Sequence, residues 1–265
     1  MREYSDGMHV VHDGPRQAPP LLLIHGSGAS GASWAPVVPA LAGHRHVVRV
    51  DLPGMGHSQP AASYDVPAQA ARVGKVIDDL GLGPVTVVGH SSGGYVATSL
   101  TEQRPDLVKA IALLSTGPRP DALLPQPAVL RALSWPPIGR LVWALRSDKM
   151  IRRGINVTCA RPVDIPKDLV TELRGLTYGT FAAVLRCNGE YIAARSVPDR
   201  LADLDVPVLV AFGTADPRVR YGVIVVRRRR IPARVELLPG IGHIPMLEAP
   251  EATSELLLDF VAADR

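Results

Sequence analysis

The segment VTVVGHSSGGYVA, residues 85–97, decides the fold. Val85–Val88 is rich in β-branched residues and reads as a strand. Ser92–Gln103 reads as a helix that stops before Pro105. Between them stands Gly89-His90-Ser91-Ser92-Gly93, a G-x-S-x-G in the strand–turn–helix setting that a nucleophile elbow requires. So tight a turn holds its serine in a strained backbone conformation and lifts the hydroxyl from the top of the sheet. Gly89 and Gly93, two positions either side, keep neighbouring backbone from clashing. The Ser92 N–H, at a helix N-terminus, can donate to an oxyanion. The alternative is a Gly-rich βα turn with a capping serine.

Outward from this segment the chain alternates short apolar runs with helical patterns. Leu21–Ile24, His46–Leu52, Val108–Leu114, Val206–Phe212 and Arg234–Leu238 read as further strands. Residues 32–42 are helix-compatible despite Pro36 and Pro39, Pro67–Leu80 has apolar spacing near 3.6, and a last amphipathic helix runs over about 250–262. Near-continuous apolar strands alternating with helices predict an α/β fold with a mostly parallel sheet buried on both faces. Residues 117–205 contain no strand pattern, only helix-like pieces at 137–147, 166–175 and 179–195. The expected organisation is a core of residues 1–116 and 206–265 interrupted by a helical cap, 117–205.

A serine hydroxyl becomes nucleophilic when a base takes its proton, and a histidine base needs a carboxylate to hold its tautomer. In this architecture the chain order is serine, acid, histidine. The strand Val208–Gly213 is followed by Asp216, and Val235–Leu238 is followed by Pro239-Gly240-Ile241-Gly242-His243. Asp216 and His243 therefore fall at the carboxyl edge of the sheet beside Ser91, where catalytic groups of open α/β sheets collect. Taken singly, Asp216 before Pro217 could initiate a turn and His243 could be an ordinary loop residue.

The segments LLLIHGSG (21–28), DLPGMGHS (51–58), VVGHSSGG (87–94), VLVAFGTADP (208–217) and LPGIGHIPMLEAPE (238–251) together resemble the α/β-hydrolase fold superfamily over nearly the whole chain. The last is similar to the histidine segment of capped esterase, lactonase, meta-cleavage-product hydrolase and haloperoxidase-like members. The resemblance implies a helical cap between core strands six and seven, and a second oxyanion N–H from Ser27. It also implies loop-shaping roles for His25, Gly26, Asp51, Gly54, Gly56 and Ser58. Hydrolysis of a small to medium hydrophobic ester, lactone or thioester through an acyl-enzyme is the function so implied. Such a triad can also serve a lyase, perhydrolase, acyl transferase or cyclase, and some members are small-ligand receptors.

Composition narrows the remaining classes. The 265 residues carry 29 basic and 25 acidic side chains, too mild an excess to imply nucleic acid. The run Arg227–Arg230 reads as a solvated face. No apolar stretch reaches the roughly 18–20 residues needed to span a bilayer, and no secretory signal is visible, so a cytoplasmic protein without membrane partners is expected. Cys159 and Cys187 read as reduced thiols. The eight histidines lack metal-ligand spacing, and His44 and His46 read as a surface strand. Gly26-Ser27-Gly28-Ala29-Ser30-Gly31, with Asp51 twenty positions on, also fits a dinucleotide fingerprint, though Pro36 and Pro39 argue against the helix it needs. No cofactor and no metal are expected, and the assembly is expected to be a monomer or homodimer. The apolar content of the cap, including Leu130, Leu133, Trp135, Ile138, Leu141, Val142, Trp143, Leu145, Leu176, Phe181 and Leu185, should pack on the core and line a hydrophobic pocket.

Overall fold

A computed structural model describes residues 1–124, 136–220 and 233–262. Among these residues eight strands form one sheet in the order β1-β2-β4-β3-β5-β6-β7-β8. They are β1 (Arg2–Ser5), β2 (Met8–Asp13), β3 (Pro20–Ile24), β4 (His46–Val50), β5 (Val85–His90), β6 (Val108–Leu114), β7 (Val208–Gly213) and β8 (Ala233–Leu238). From β4 to β8 every neighbour is parallel, and β2 joins β4 antiparallel. This is the α/β-hydrolase fold expected from the sequence. Leu21, Leu22, Leu23, Ile24, Val85, Val87 and Val88 have no exposed surface. A strand covered on both faces has no use for polar alternation, which is why these runs read as continuous.

Helices α1 (Val38–Ala42), α2 (Val66–Asp79) and α3 (Gly93–Gln103) belong to the first half. Within the helix-compatible stretch 32–42, which Pro36 and Pro39 weaken, a 3-10 turn over Gly31–Trp34 precedes the short α1. Pro36 and Pro39 lack the N–H groups that a continuous helix would use there. Between β6 and β7 come α4 (Pro136–Ala144), α5 (Asp148–Asn156), α6 (Lys167–Gly175), α7 (Tyr178–Ala194) and α8 (Val197–Leu201). The described residues of this insertion contain no strand, only an isolated bridge from Leu123 to Val219. After β8 follow α9 (Pro245–Glu248) and α10 (Pro250–Ala262). No helix among the described residues is long and apolar enough to cross a membrane.

Three expectations change. The sequence reading lacks the hairpin β1–β2, whose turn is Asp6-Gly7 with φ of 49° and 73°. Both positive values belong to the mirror-image two-residue turn that suits the twist of antiparallel strands. Because β2 covers β4, His46 is buried rather than on a surface strand, and its Nε2 lies 2.8 Å from His12 Nδ1. Only part of the insertion's apolar content packs inward. Leu176 is buried, and the Trp143 and Phe181 rings stack with centroids 4.8 Å apart against the core. Ile138, Leu141, Leu145 and Leu185 remain exposed. Leu130, Leu133, Trp135 and Arg227–Arg230 lie outside the described residues.

Candidate active site

The β5–α3 turn places Ser91 at φ 51°, in the left-handed region that a non-glycine residue occupies only under constraint. The constraint is visible on both sides. The Ser91 N–H donates to Leu114 O of β6 at 2.8 Å, and Thr116 Oγ1 donates to Ser91 O at 3.0 Å. The glycines allow the turn to close. A Cβ on Gly89 would stand 2.5 Å from Gly93 O, and one on Gly93 would stand 2.4 Å from Ile24 O. The half-buried Ser91 is left with its hydroxyl beside the loop that follows β8.

On that side Ser91 Oγ lies 3.0 Å from His243 Nε2, and His243 Nδ1 lies 2.8 Å from Asp216 Oδ2. Asp216 and His243 are both buried. Asp216 Oδ1 accepts the N–H groups of Arg218 (2.7 Å) and Val219 (3.2 Å), so one oxygen fixes the turn and the other faces the ring. A carboxylate can only accept, so Nδ1 carries the proton and Nε2 is free to accept from the serine. The three residues predicted from separate segments meet in one hydrogen-bonded line.

The His243 backbone is held as firmly. Its N–H donates to Thr158 O of the insertion at 2.9 Å, and its carbonyl accepts from His90 Nε2 at 2.8 Å. Burial, with the neighbouring His243 ring adding to it, pushes His90 down to about 3, which keeps it a neutral donor. The flanking Gly242 and Ile244 N–H groups donate to Glu248, at 2.9 and 3.1 Å. The same buried carboxylate accepts Ala160 N–H at 2.8 Å.

The two expected oxyanion donors differ in state. No group among the described residues accepts the Ser92 N–H. The Ser27 N–H, in contrast, donates to Ser92 Oγ at 2.7 Å, so a hydroxyl already occupies it. Ser27 Oγ and Ser92 Oγ are 2.8 Å apart, and Asn188 Nδ2 of α7 donates to Ser27 Oγ at 2.9 Å. Ser92 makes no side-chain cap to α3, because its hydroxyl turns to Ser27 instead. Beside Ser27, Phe181 stands against Gly28, 3.0 Å from where a Cβ would be.

The remaining motif residues brace these loops. His25 donates from Nδ1 to Gly26 O at 2.8 Å and accepts Leu52 N–H at Nε2 at 2.9 Å. Its burial pushes its pKa down, so the ring stays neutral. A Cβ on Gly26 would lie 3.0 Å from Ser91 Cβ. Asp51 accepts from Gly31 N–H (2.7 Å), His57 N–H (2.9 Å) and His9 Nδ1 (2.8 Å). Burial alone would raise its pKa, but these hydrogen bonds, the one from His9 foremost, outweigh it and hold the carboxyl low. The Gly31–Asp51 pair of the dinucleotide reading is therefore an internal hydrogen bond. Glu248, Asn188 and Thr158 carry no role in the sequence reading, whereas Phe181 is one of the apolar residues expected to line a pocket. Asn188 carries no spacing signal, since it acts on a hydroxyl 161 positions away, and Glu248 grips local backbone N–H groups, which bear no side-chain pattern, besides the distant Ala160. A separate cleft of about 690 Å³, lined by Asp65, Glu102, Cys187, Glu190, Tyr191 and Arg200 among others, contains none of the predicted site residues.

The profile of the alpha/beta hydrolase family matches residues 21–256. A pimeloyl-(acyl-carrier protein) methyl ester esterase of Neisseria meningitidis serogroup C is 32% identical over 246 residues, covering 90% of this chain and 92% of its own length. A protein of the same name from Aeromonas hydrophila is 28% identical, covering 92% of this chain and 96% of its own. Among solved structures, a membrane phospholipase A superposes with a TM-score of 0.81 at 25% identity, covering 100% of this chain and 86% of its own. The chain belongs to the alpha/beta hydrolase family and is a hydrolase.

Proposed function

We propose that this hydrolase cleaves carboxylic esters with Ser91 as nucleophile, His243 as general base and acid, and Asp216 as the carboxylate that orients the ring. The observation that carries the reading is the Ser91–His243–Asp216 line, with bonds of 3.0 and 2.8 Å ending on a buried carboxylate. His243 Nε2 takes the Ser91 proton as Oγ attacks the ester carbonyl carbon. The oxyanion forms beside the unengaged Ser92 N–H, with Ser27 N–H as second donor once the Ser92 hydroxyl turns away. Preorganised donors of this kind contribute roughly 3–4 kcal/mol each to such transition states. The C–O bond to the leaving alcohol breaks as His243 returns the proton to it. Water then gives a proton to His243 and attacks the Ser91 ester; as the bond to Oγ breaks, His243 returns that proton to Ser91 and the acid is released.

The named activities of the full-length relatives support an ester substrate. Phe181 against the oxyanion loop, stacked on Trp143, supports a small to medium hydrophobic group beside the reacting carbonyl. We assign residues 117–205 the role of a cap over this site. The test is turnover of p-nitrophenyl esters from acetate to decanoate by wild type and Ser91→Ala. Wild type should turn over a defined range of chain lengths, and Ser91→Ala should lose about 10⁴-fold or more. Equal rates in the two proteins would remove Ser91 from the mechanism.

A further inference from the structure

We infer that Glu248 is a positioning residue for His243, and that through it the geometry of the base depends on the helical insertion. The inference rests on the reading of His243 as the base. Glu248 ends α9, five residues after His243, and is 4% exposed. A buried carboxylate is tolerated only when hydrogen bonds replace its water. Here backbone N–H groups do so, and their identity is what matters. Oε2 accepts Gly242 and Ala160, and Oε1 accepts Ile244. The carboxylate thus straddles His243, gripping the N–H of the residue on each side of it. With the His243 N–H on Thr158 O and its carbonyl on His90, little is left to move except the side-chain torsions.

Two of these partners, Thr158 and Ala160, lie in the turn after α5, within the insertion. Arg161 adds a third link, donating to the Glu248 carbonyl at 2.7 Å. That turn cannot swing away without releasing the loop that carries the base. The insertion is therefore anchored on the His243 side, and movement that admits substrate must come from another part of it. Only a carboxylate suits the position. A glutamine would present its NH2 to one of the backbone N–H groups and lose at least one bond.

The experiment compares wild type, Glu248→Gln and Glu248→Asp in three readouts. These are kcat and KM on the best p-nitrophenyl ester, the labelling rate of Ser91 by a fluorophosphonate, and the downfield proton NMR signal of the His243 Nδ1–H. We expect Glu248→Gln to lower kcat by about 10–100-fold with KM within twofold, as small misplacements of a catalytic group do. Labelling should slow in parallel and the NMR signal should shift or broaden, while Glu248→Asp, which keeps the charge at a shorter reach, falls between. A folded Glu248→Gln with wild-type kcat and an unmoved signal overturns the inference, even if its thermal midpoint drops. If Glu248→Gln does not fold, the same criteria apply to Glu248→Asp. If wild type neither hydrolyses esters nor labels, the catalytic reading fails. The NMR comparison alone then decides whether Glu248 places His243.

Discussion

Asp216 divides two tasks between two oxygens. Oδ1 accepts the N–H groups of Arg218 and Val219 and makes the turn, and Oδ2 faces His243. The turn expected before Pro217 and the hydrogen bond to His243 are therefore both present, and the first orients the carboxylate for the second. A similar count of protons applies at Ser27 and Ser92. Three hydrogen bonds join Asn188, Ser27 and Ser92, and each consumes one donor. In this resting arrangement the Ser27 N–H is spent on Ser92 Oγ, so it can serve an oxyanion only after that bond opens. An ordinary hydrogen bond is worth about 1 kcal/mol net. Ser92→Ala removes the competitor and leaves the backbone donors in place. Its kcat/KM on an activated ester should rise about fivefold in steady-state assays. A fall of tenfold or more would mean that the hydroxyl itself donates to the transition state.

At the scale of elements, the β5–α3 turn is the least tolerant part of the molecule. Gly93 does not need a positive φ; it needs to be small, because the carbonyls of Ile24, which ends β3, and His25 after it lie 2.4 and 2.5 Å from where a Cβ would stand. Backbone carbonyls cannot rotate aside as a side chain can. Gly93→Ala should cost about 3 kcal/mol, the upper end for overpacking, seen as a lower urea midpoint or as loss of soluble protein. A midpoint unchanged from wild type would mean that β3 and α3 can separate. The same elements explain what could be read from the sequence. Strands β3 to β7 announce themselves because burial on both faces makes them largely apolar runs, whereas the edge strand β8, ARVELL, is only half covered; Ser91, Asp216 and His243 follow the carboxyl ends of β5, β7 and β8. The hairpin β1–β2 does not, since REYS and MHVVHD are mixed in polarity and His12 is buried through its partner His46. α5, DKMIRRGIN, turns only Ile151 and the partly buried Ile155 to the core, too short an apolar face to mark a helix in the sequence. Asn188 acts on a group brought near by the fold, and Glu248 acts largely on backbone N–H groups that any sequence would supply, so no side-chain pattern announces either.

Across the whole molecule the insertion is tied to each loop that bears on Ser91. Asn188 reaches Ser27, Thr158 and Ala160 hold the His243 loop, and Glu172 accepts from Ser30 and pairs with His57 at 3.2 Å. The frame beneath these ties contains four histidines, His12, His25, His46 and His90, whose pKa values burial pushes down. Their ordinary value is 6.5, and His90 falls to about 3. The unfolded chain therefore takes up protons first as the pH drops. Their contribution to stability is complete above 6.5 and is lost progressively below it, until the folded values are reached. Each histidine whose folded value lies well below the pH contributes a slope of about 1.4 kcal/mol per pH unit. Asp51, held low, has the opposite chemistry but the same direction, and acts only below its ordinary 3.8. The window between pH 7 and 5 thus belongs to the histidines. Urea unfolding should show stability falling across it with uptake of more than one proton. His90→Gln, which keeps a donor for the His243 carbonyl, should remove about one proton from that slope. A flat profile from pH 7 to 5 would mean that these rings titrate in the folded protein as they do in the unfolded chain. Burial would then not keep His90 neutral below pH 6.5, and the bracing of the His243 carbonyl would need another account.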